Sequence, residues 1–350
     1  MKIDVVIGNP PYQEGTGGGG YSEVAMPVYN KFITLFVNIG QIVNMIVPSR
    51  WMSGGKSVLD DFRKKVIEGH HLKSVHNFTK SRNIFNNVDI AGGVCILQFT
   101  KDKHELVEMN NCDFTNGKTI IQSQLLRDIS KYTYIENRDT VQYLILVDNK
   151  AECIVNKIKE RSNLYMDSII KYNPFGLLTN FEDSAIHNGE RNIRVIKSGG
   201  KDTYTDRDNI KSNQKLIDTY KIITGTISPD RGGVNNSDLM NVINRPKLLL
   251  PNEVCTMTYI LVDCFSKKEE ADSCLKYTTT KFLRFLIHIT LSSMHVTSRN
   301  CIFIPIQDFT PNSDIDWSGT VQEVDEQLYK KYNLSSEEID YIENTIKPME

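Results

Sequence analysis

The stretch Ile3-Asp4-Val5-Val6-Ile7-Gly8, followed at once by Asn9-Pro10-Pro11-Tyr12, decides how this chain folds. Its first part is short, β-branched and nearly all apolar, which is typical of a strand buried on both faces of a central sheet. The two prolines fix their own φ angles and push the residue before each of them away from helical angles. In an open α/β sheet, groups that directly follow a strand lie at the edge where ligands bind.

Strand and helix patterns alternate over the first hundred residues. Apolar residues recur with helical spacing over 25–39 and 56–68, and a glycine follows each run. Short apolar runs at 42–47, 71–78 and 92–99 predict further strands. This order predicts βαβ units and a parallel sheet, so the expected fold class is α/β, followed by a mixed α+β domain.

Composition indicates an ordinary globular protein. The 350 residues leave room for about two domains, and 40% of them are hydrophobic. No apolar run approaches the roughly 18 residues of a membrane span, and no secretion signal opens the chain, so we expect a cytoplasmic protein without a membrane partner. The seven cysteines are scattered without a CxxC pair, which predicts free thiols and no metal site.

Charge is unevenly distributed. Residues 191–247 carry 11 Lys and Arg against six Asp, a net charge of +5, whereas residues 307–350 carry 11 acidic residues against three Lys, a net charge of −8. The basic segment therefore suits a polyanion and the acidic tail does not. The alternative, that both are solvated faces, stays open at this point.

The loop Asn9–Tyr12 and several later segments resemble an adenine-N6 DNA methyltransferase. The resemblance is to the C-terminal part of the Eco57I-like group of restriction-modification enzymes: the catalytic NPPY loop and the target-recognition domain. The segments that carry it beyond the loop are 46–52, 85–90, 281–286 and 325–332. It implies a site-specific enzyme that acts on adenine flipped out of double-stranded DNA, by methyl transfer from S-adenosylmethionine.

By this resemblance, Asn9, Pro10, Pro11 and Tyr12 carry catalysis. The Asn9 side-chain carbonyl and the Pro10 backbone carbonyl would accept hydrogen bonds from the adenine amine and localise its lone pair, and Tyr12 would stack on the base. Phe85 is a second candidate for base stacking. The alternative for the loop is a Pro-Pro turn with a surface tyrosine, and the alternative for Phe85 is a core aromatic at the entrance to a strand.

The cofactor-binding residues remain unknown, because the family binds its donor upstream of the catalytic loop. None of the glycine-containing runs at 15–20, 198–201 and 231–233 stands between a predicted strand and the start of a predicted helix, where a cofactor loop would lie. We therefore expect a partial Rossmann-like sheet whose N-terminal strands are missing, and weak donor binding by this chain alone. The strand Ile3–Ile7 would then be an exposed apolar edge, where the chain self-associates or pairs with a partner chain.

Three segments are expected: the C-terminal half of the catalytic domain over 1–150, a target-recognition domain over 151–308, and an acidic helical tail over 309–350. The recognition domain includes a predicted helix over 278–293, and the tail a helix capped by Ser335 and Glu338 and ended by Pro348. The candidates for DNA contact are Lys197, Lys201, Arg207, Lys211, Arg231 and Arg245. Two other functions stay open: a DNA-specificity module without chemistry, and a truncated, inactive remnant.

Overall fold

A computed structural model describes residues 3–14, 26–54, 57–86, 88–130, 133–136, 140–183, 192–199, 202–230 and 239–349. The chain forms two compact units: the first comprises Met1–Glu152, Gly232–Asn235 and Ile289–Ser293, and the second Cys153–Arg231, Asn236–His288 and Met294–Glu350. Within the described ranges, no helix is long and apolar enough to cross a membrane.

The first unit is built around a six-stranded sheet. The strands of this unit, inside and outside that sheet, are β1 (Ile3–Gly8), β2 (Gln13–Glu14), β3 (Met26–Pro27), β4 (Gly40–Pro48), β5 (Leu72–Phe78), β6 (Val94–Thr100), β7 (Val107–Thr115), β8 (Lys118–Arg127), β9 (Thr133–Glu136) and β10 (Thr140–Tyr143). Its helices are α1 (Tyr29–Ile39) and α2 (Ser57–Gly69). The sheet order is β1-β4-β6-β5-β7-β8, and β2–β3 and β9–β10 form separate two-stranded ladders.

The sheet is mixed rather than parallel throughout. Strands β1 and β4 are parallel, with Val6 opposite Val43, as the strand-helix-strand pattern predicted. Strand β6, however, lies between β4 and β5 and is antiparallel to both. The prediction of a parallel sheet therefore holds for β1, β4 and β5 and is corrected for β6: the described residues between β5 and β6 contain no α-helix that could cross over, so the chain returns antiparallel alongside β5.

Helices α1 and α2 bury one face each against this sheet. Ile33 of α1 and Phe62 of α2 are almost inaccessible to solvent. Helix α1 ends at Ile39 as predicted, but Gly40 has an extended backbone instead of a left-handed one. A Cβ at Gly40 would lie 2.9 Å from Val43 Cγ2 and 3.1 Å from Val6 Cγ2, so glycine is needed there for close packing of β1 on β4.

Strand β1 is an edge of the sheet. Among the described residues it pairs with β4 on one side only, and the side chains of Val5 and Ile7 are 49% and 78% exposed. The single chain therefore has the exposed apolar edge that was expected at Ile3–Ile7. The partner predicted to cover this edge stays a prediction.

The second unit contains two further sheets. Its helices are α3 (Ala151–Arg161), which begins in the first unit, α4 (Lys268–Thr279), α5 (Lys281–His288), α6 (Val321–Lys331) and α7 (Ser336–Glu343). Its strands are β11 (Lys171–Tyr172), β12 (Asn192–Ile196), β13 (Thr203–Asp206), β14 (Tyr220–Gly225), β15 (Lys247–Leu249), β16 (Glu253–Cys255) and β17 (Tyr259–Phe265). The sheet orders are β11-β17-β14-β15 and β13-β12-β16.

The helix predicted over 278–293 is instead interrupted at Thr280 and ends at His288. Thr280 is extended, and its Oγ1 accepts a hydrogen bond from Leu283 N at 3.2 Å. The buried carboxylate of Asp325 accepts hydrogen bonds from Lys281 N and Phe282 N, each at 2.9 Å, so a new helix begins there.

The acidic tail contains two helices where one was predicted. The capping box of Ser335 and Glu338 is present at the start of α7, as its sequence predicted. Helix α7 ends at Glu343, and Asn344 donates its backbone N–H to Asp340 O. Pro348 therefore does not end this helix.

Candidate active site

The loop Asn9–Tyr12 leaves the carboxyl end of β1. Asn9 and Pro11 are exposed, Pro10 is buried, and Tyr12 is half-buried. The chain after the loop forms β2, which pairs with β3 immediately before α1. Tyr12 O also accepts a hydrogen bond from Val28 N at 3.2 Å. The loop is therefore anchored at both ends, while the Asn9 side chain stays accessible.

Aromatic contacts connect Tyr12 to the core of the first unit. The rings of Tyr12 and Tyr29 meet edge to face, with centroids 6.5 Å apart. Tyr29 contacts Phe62 in the same way at 6.5 Å, and Phe62 contacts Trp51 at 5.5 Å. Burial raises the pKa of the Tyr12 hydroxyl to about 12 and raises that of Tyr29 as well, so both are neutral at physiological pH.

A polar network holds the neighbouring end of β4. Ser49 donates its hydroxyl to Asn77 Oδ1 at 2.6 Å, and Ser49 N donates to Gly93 O at 3.0 Å. The indole N–H of Trp51 donates to Cys95 Sγ at 3.4 Å, and burial raises the pKa of that thiol to about 12. Cys95 is therefore a neutral core group and not a nucleophile.

A buried arginine fixes the turn between β4 and α2. The guanidinium of Arg63 donates to the carbonyls of Trp51 and Gly54 and forms an ion pair with Asp60. Trp51 itself is fully buried, which agrees with a packing role. The turn is thus held from within the core.

Phe85 lies apart from the Tyr12 contacts. It is half-buried in a small cluster with Phe78, Val94 and Cys112, whereas Tyr12 packs against the main core of the first unit. An ion pair joins Arg82, which precedes Phe85 in the chain, to Asp89, which follows it. The structure therefore does not bring the rings of Phe85 and Tyr12 into one cluster.

Four of the candidate DNA contacts fall among the described residues of the second unit, near the β12–β13 hairpin and before β15. Lys197 Nζ lies 3.9 Å from Glu182 Oε1, and Arg207 forms an ion pair with Asp218. Lys211 Nζ donates to Asp208 O at 2.6 Å, and Arg245 is exposed. Lys201 and Arg231 lie outside the described residues.

Two of the described turns lack the features of a loop that binds S-adenosylmethionine. The turn after β1 contains Pro10 and Pro11, which have no backbone N–H to offer to an anionic group. Gly199, with φ +68°, lies between the antiparallel strands β12 and β13 and not between a strand and a helix. The glycine runs at 15–20 and 231–233 fall largely or wholly outside the described residues.

No local sequence pattern marks Tyr29 or the contact between Ser49 and Asn77. Tyr29 lies 17 positions after Tyr12, and Asn77 lies 28 positions after Ser49. Neither spacing belongs to a local periodicity, because each pair meets only when separate strands and helices pack together. Proline directly before Ser49 marks a strand end, and that is the one local signal available.

The first 85 residues of this chain are similar to a described protein family. Residues 1–85 match the model of the Eco57I restriction-modification methylase family. A Mycoplasma pneumoniae (strain ATCC 29342 / M129 / Subtype 1) protein described as an uncharacterized adenine-specific methylase is 27% identical over 158 residues, which are 45% of this chain and 34% of that protein.

Similar solved structures come from restriction-modification systems. The type IIL restriction-modification enzyme MmeI, in complex with DNA, aligns with a TM-score of 0.48 and 11% identity, over 98% of this chain and 56% of that chain. The type IIG restriction endonuclease BpuSI aligns with a TM-score of 0.36 and 12% identity, over 98% and 54%. This chain thus spans between a third and just over half of the length of these proteins. The predicted resemblance to the adenine-specific methyltransferases of restriction-modification systems is confirmed, and over residues 1–85 it is a resemblance to the Eco57I methylase family.

Proposed function

We propose that this chain positions adenine for N6 methylation in double-stranded DNA, with Asn9, Pro10 and Tyr12 around a base that has left the helix. One observation carries the proposal: an exposed Asn9 follows a parallel strand, on a loop fixed by a buried Pro10, within residues that match a methylase family. Ligands of open α/β sheets bind at this edge. Pro10 and the hydrogen bond to Tyr12 O hold the loop, and the Asn9 amide is accessible, which suits recognition of a small polar group.

The chemistry follows from the residue types. The lone pair of the adenine amine is delocalised into the ring, so the amine is a poor nucleophile. Two acceptors, the Asn9 side-chain carbonyl and the Pro10 backbone carbonyl, would bind its two hydrogens and draw the nitrogen out of the ring plane. Acceptors held in place before the substrate arrives do not have to reorganise during the reaction. Because the neutral amine attacks through its lone pair, its protons need not be removed beforehand, and the methylated nitrogen loses one proton to solvent afterwards.

The methyl donor of this family is S-adenosylmethionine, and we propose that its binding site lies outside the described residues. The six-stranded sheet would then be the C-terminal part of a Rossmann-like catalytic domain, and β1 would be the strand along which the donor-binding part pairs. Its open edge, with Ile7 exposed, supports this arrangement. Titration calorimetry with the donor should show no binding at micromolar concentrations. Micromolar affinity would contradict this part of the proposal.

DNA recognition is proposed for residues 151–308. The described cations Lys197, Arg207 and Lys211 lie around one hairpin, where they would contact phosphates and set a salt-dependent affinity. This arrangement also favours a second candidate function, sequence-specific DNA binding without chemistry.

Base extrusion distinguishes these two functions. Duplexes that the protein binds would first be selected from a random pool, and each adenine of the selected sequence would be replaced in turn by 2-aminopurine. If the protein extrudes an adenine from the duplex, the fluorescence of 2-aminopurine should rise at one position when the protein binds, because the base leaves the stack. Because stacking on Tyr12 would itself quench the base, Tyr12→Ala is measured beside wild type. A selected sequence with no fluorescent position in either protein would support the specificity module instead.

Asn9 is tested by pairing its substitution with removal of the amine. Affinity is compared for duplexes that carry adenine or purine at the extruded position, with wild type and with Asn9→Ala. The wild-type preference for adenine should fall by about 2- to 12-fold, the value of one net hydrogen bond. Asn38→Ala, at an exposed position of α1, is the matched control. An unchanged preference in Asn9→Ala would refute the role of Asn9.

A further inference from the structure

Tyr29 is the residue against which the Tyr12 ring rests. It is the first residue of α1, it is 2% exposed, and its ring meets Tyr12 edge to face at 6.5 Å with an interplanar angle of 82°. The residue before it, Val28, donates its backbone N–H to Tyr12 O. The start of α1 therefore contacts both the backbone and the ring of Tyr12.

Tyr29 is in turn held by buried rings. Phe62 of α2 meets it edge to face at 6.5 Å, and fully buried Trp51 backs Phe62 at 5.5 Å. Edge-to-face pairs add stability beyond the area they bury and also favour one relative orientation of the rings. A continuous series of four rings thus ties Tyr12 to the core, and Tyr29 is its link to the loop.

Among the described residues, nothing holds this pair through its hydroxyl groups. The hydroxyls of Tyr12 and Tyr29 are both buried and have no hydrogen-bond partner among the described residues. A buried hydroxyl without a partner is unfavourable, so the ring contacts hold the Tyr12 ring, while the hydrogen bond from Val28 N holds its backbone.

We propose that Tyr29 is a positioning residue for Tyr12: its ring, and not its hydroxyl, sets the place of the Tyr12 ring for stacking on an extruded adenine. This inference rests on the proposed function for its last step only. The contact between the two rings exists without DNA, so it is measurable on the free protein.

Amide exchange of the Val28 N–H tests the contact, since this group donates to Tyr12 O. The test compares wild type with Tyr29→Phe, which keeps the ring, and Tyr29→Leu, which removes it. Phe32→Leu, farther along α1, is the matched control. Tyr29→Leu should increase the exchange rate of the Val28 amide by about 2- to 12-fold, which is the value of one edge-to-face pair. Tyr29→Phe and Phe32→Leu should leave it unchanged, and unchanged exchange of the β4 amides would show that the core remains folded.

Fluorescence of the selected 2-aminopurine duplex tests the consequence. If Tyr12 stacks on the extruded base and quenches it, Tyr29→Leu should give brighter complexes at nearly unchanged DNA affinity, and Tyr29→Phe should match wild type. Unchanged Val28 exchange in Tyr29→Leu, or an equal effect of Tyr29→Phe, would overturn the proposal. Extrusion by wild type with identical brightness in Tyr29→Leu would overturn it too. Absence of extrusion by wild type would refute the proposed function instead, and the exchange data alone would then decide the role of Tyr29.

Discussion

Substitution of Gly54 by alanine should destabilise the first unit, because Ser292 occupies the space that the new methyl group needs. A Cβ at Gly54 would lie closer than 3.0 Å to Ser292 Oγ, a distance that real Cβ atoms essentially never show, but at an ordinary 3.6 Å from Ser292 Cβ. Overpacking of this kind costs about 1–3 kcal/mol. The overlap involves one oxygen atom, so Gly54→Ala combined with Ser292→Ala should recover most of the loss.

A double-mutant cycle in urea measures this coupling. The free energies of unfolding of wild type, Gly54→Ala, Ser292→Ala and the double variant should give a coupling energy of about 1–3 kcal/mol. Gly69→Ala is the matched control, because the nearest atom to its Cβ is His71 Cδ2 at 3.8 Å, and it should be neutral or slightly stabilising. Additive effects, or a loss below about 0.5 kcal/mol in Gly54→Ala, would show that Ser292 moves aside and would refute the reasoning.

Three further changes test the buried groups and one helix cap. Burial lowers the pKa of Lys221 to about 8, from the ordinary lysine value of 10.5. Between these two pH values the unfolded state binds more protons than the folded state. The free energy of unfolding of wild type should therefore rise with pH over that range relative to that of Lys221→Met, by up to about 3 kcal/mol. Tyr12→Phe should be about 1 kcal/mol more stable than wild type because it removes a buried hydroxyl without a partner among the described residues; since the Tyr12 pKa is raised to about 12, this advantage should grow between pH 10 and 12. Thr320→Ala should cost about 1 kcal/mol in thermal or urea unfolding, because Thr320 Oγ1 accepts from Glu323 N at the start of α6.

Local patterns in the sequence predicted β1, α1, β4 and α2 to within a few residues. Helices α1 and α2 and strand β4 bury apolar residues at regular spacing, so the pattern carries the information directly. The position of Asn9 at a strand end follows from the same pattern, since the double proline cannot continue a central strand.

The misplaced elements depend on contacts between distant residues. The antiparallel insertion of β6 between β4 and β5 is set by pairing across the sheet, and its residues are as apolar as those of a parallel strand. The break between α4 and α5 depends on Asp325, which caps the new helix from 44 positions away. A threonine at position 280 is a signal for an N-cap, but the helical spacing of the apolar residues around it is uninterrupted.

The motif and the structure contribute different parts of the candidate site. Asn9 and Pro10 are recognisable from the sequence because the acceptor groups they offer lie within two consecutive residues. The location of Tyr12 is not recognisable in this way, since its ring rests on Tyr29, Tyr29 rests on Phe62, and Phe62 rests on Trp51. These three residues come from three different later segments. Hydrogen-bond acceptors on a proline-fixed backbone need little support from the rest of the protein. A stacking ring on a flexible side chain needs a surface to hold it, and that surface is assembled only by the packing of α1 and α2 against the sheet.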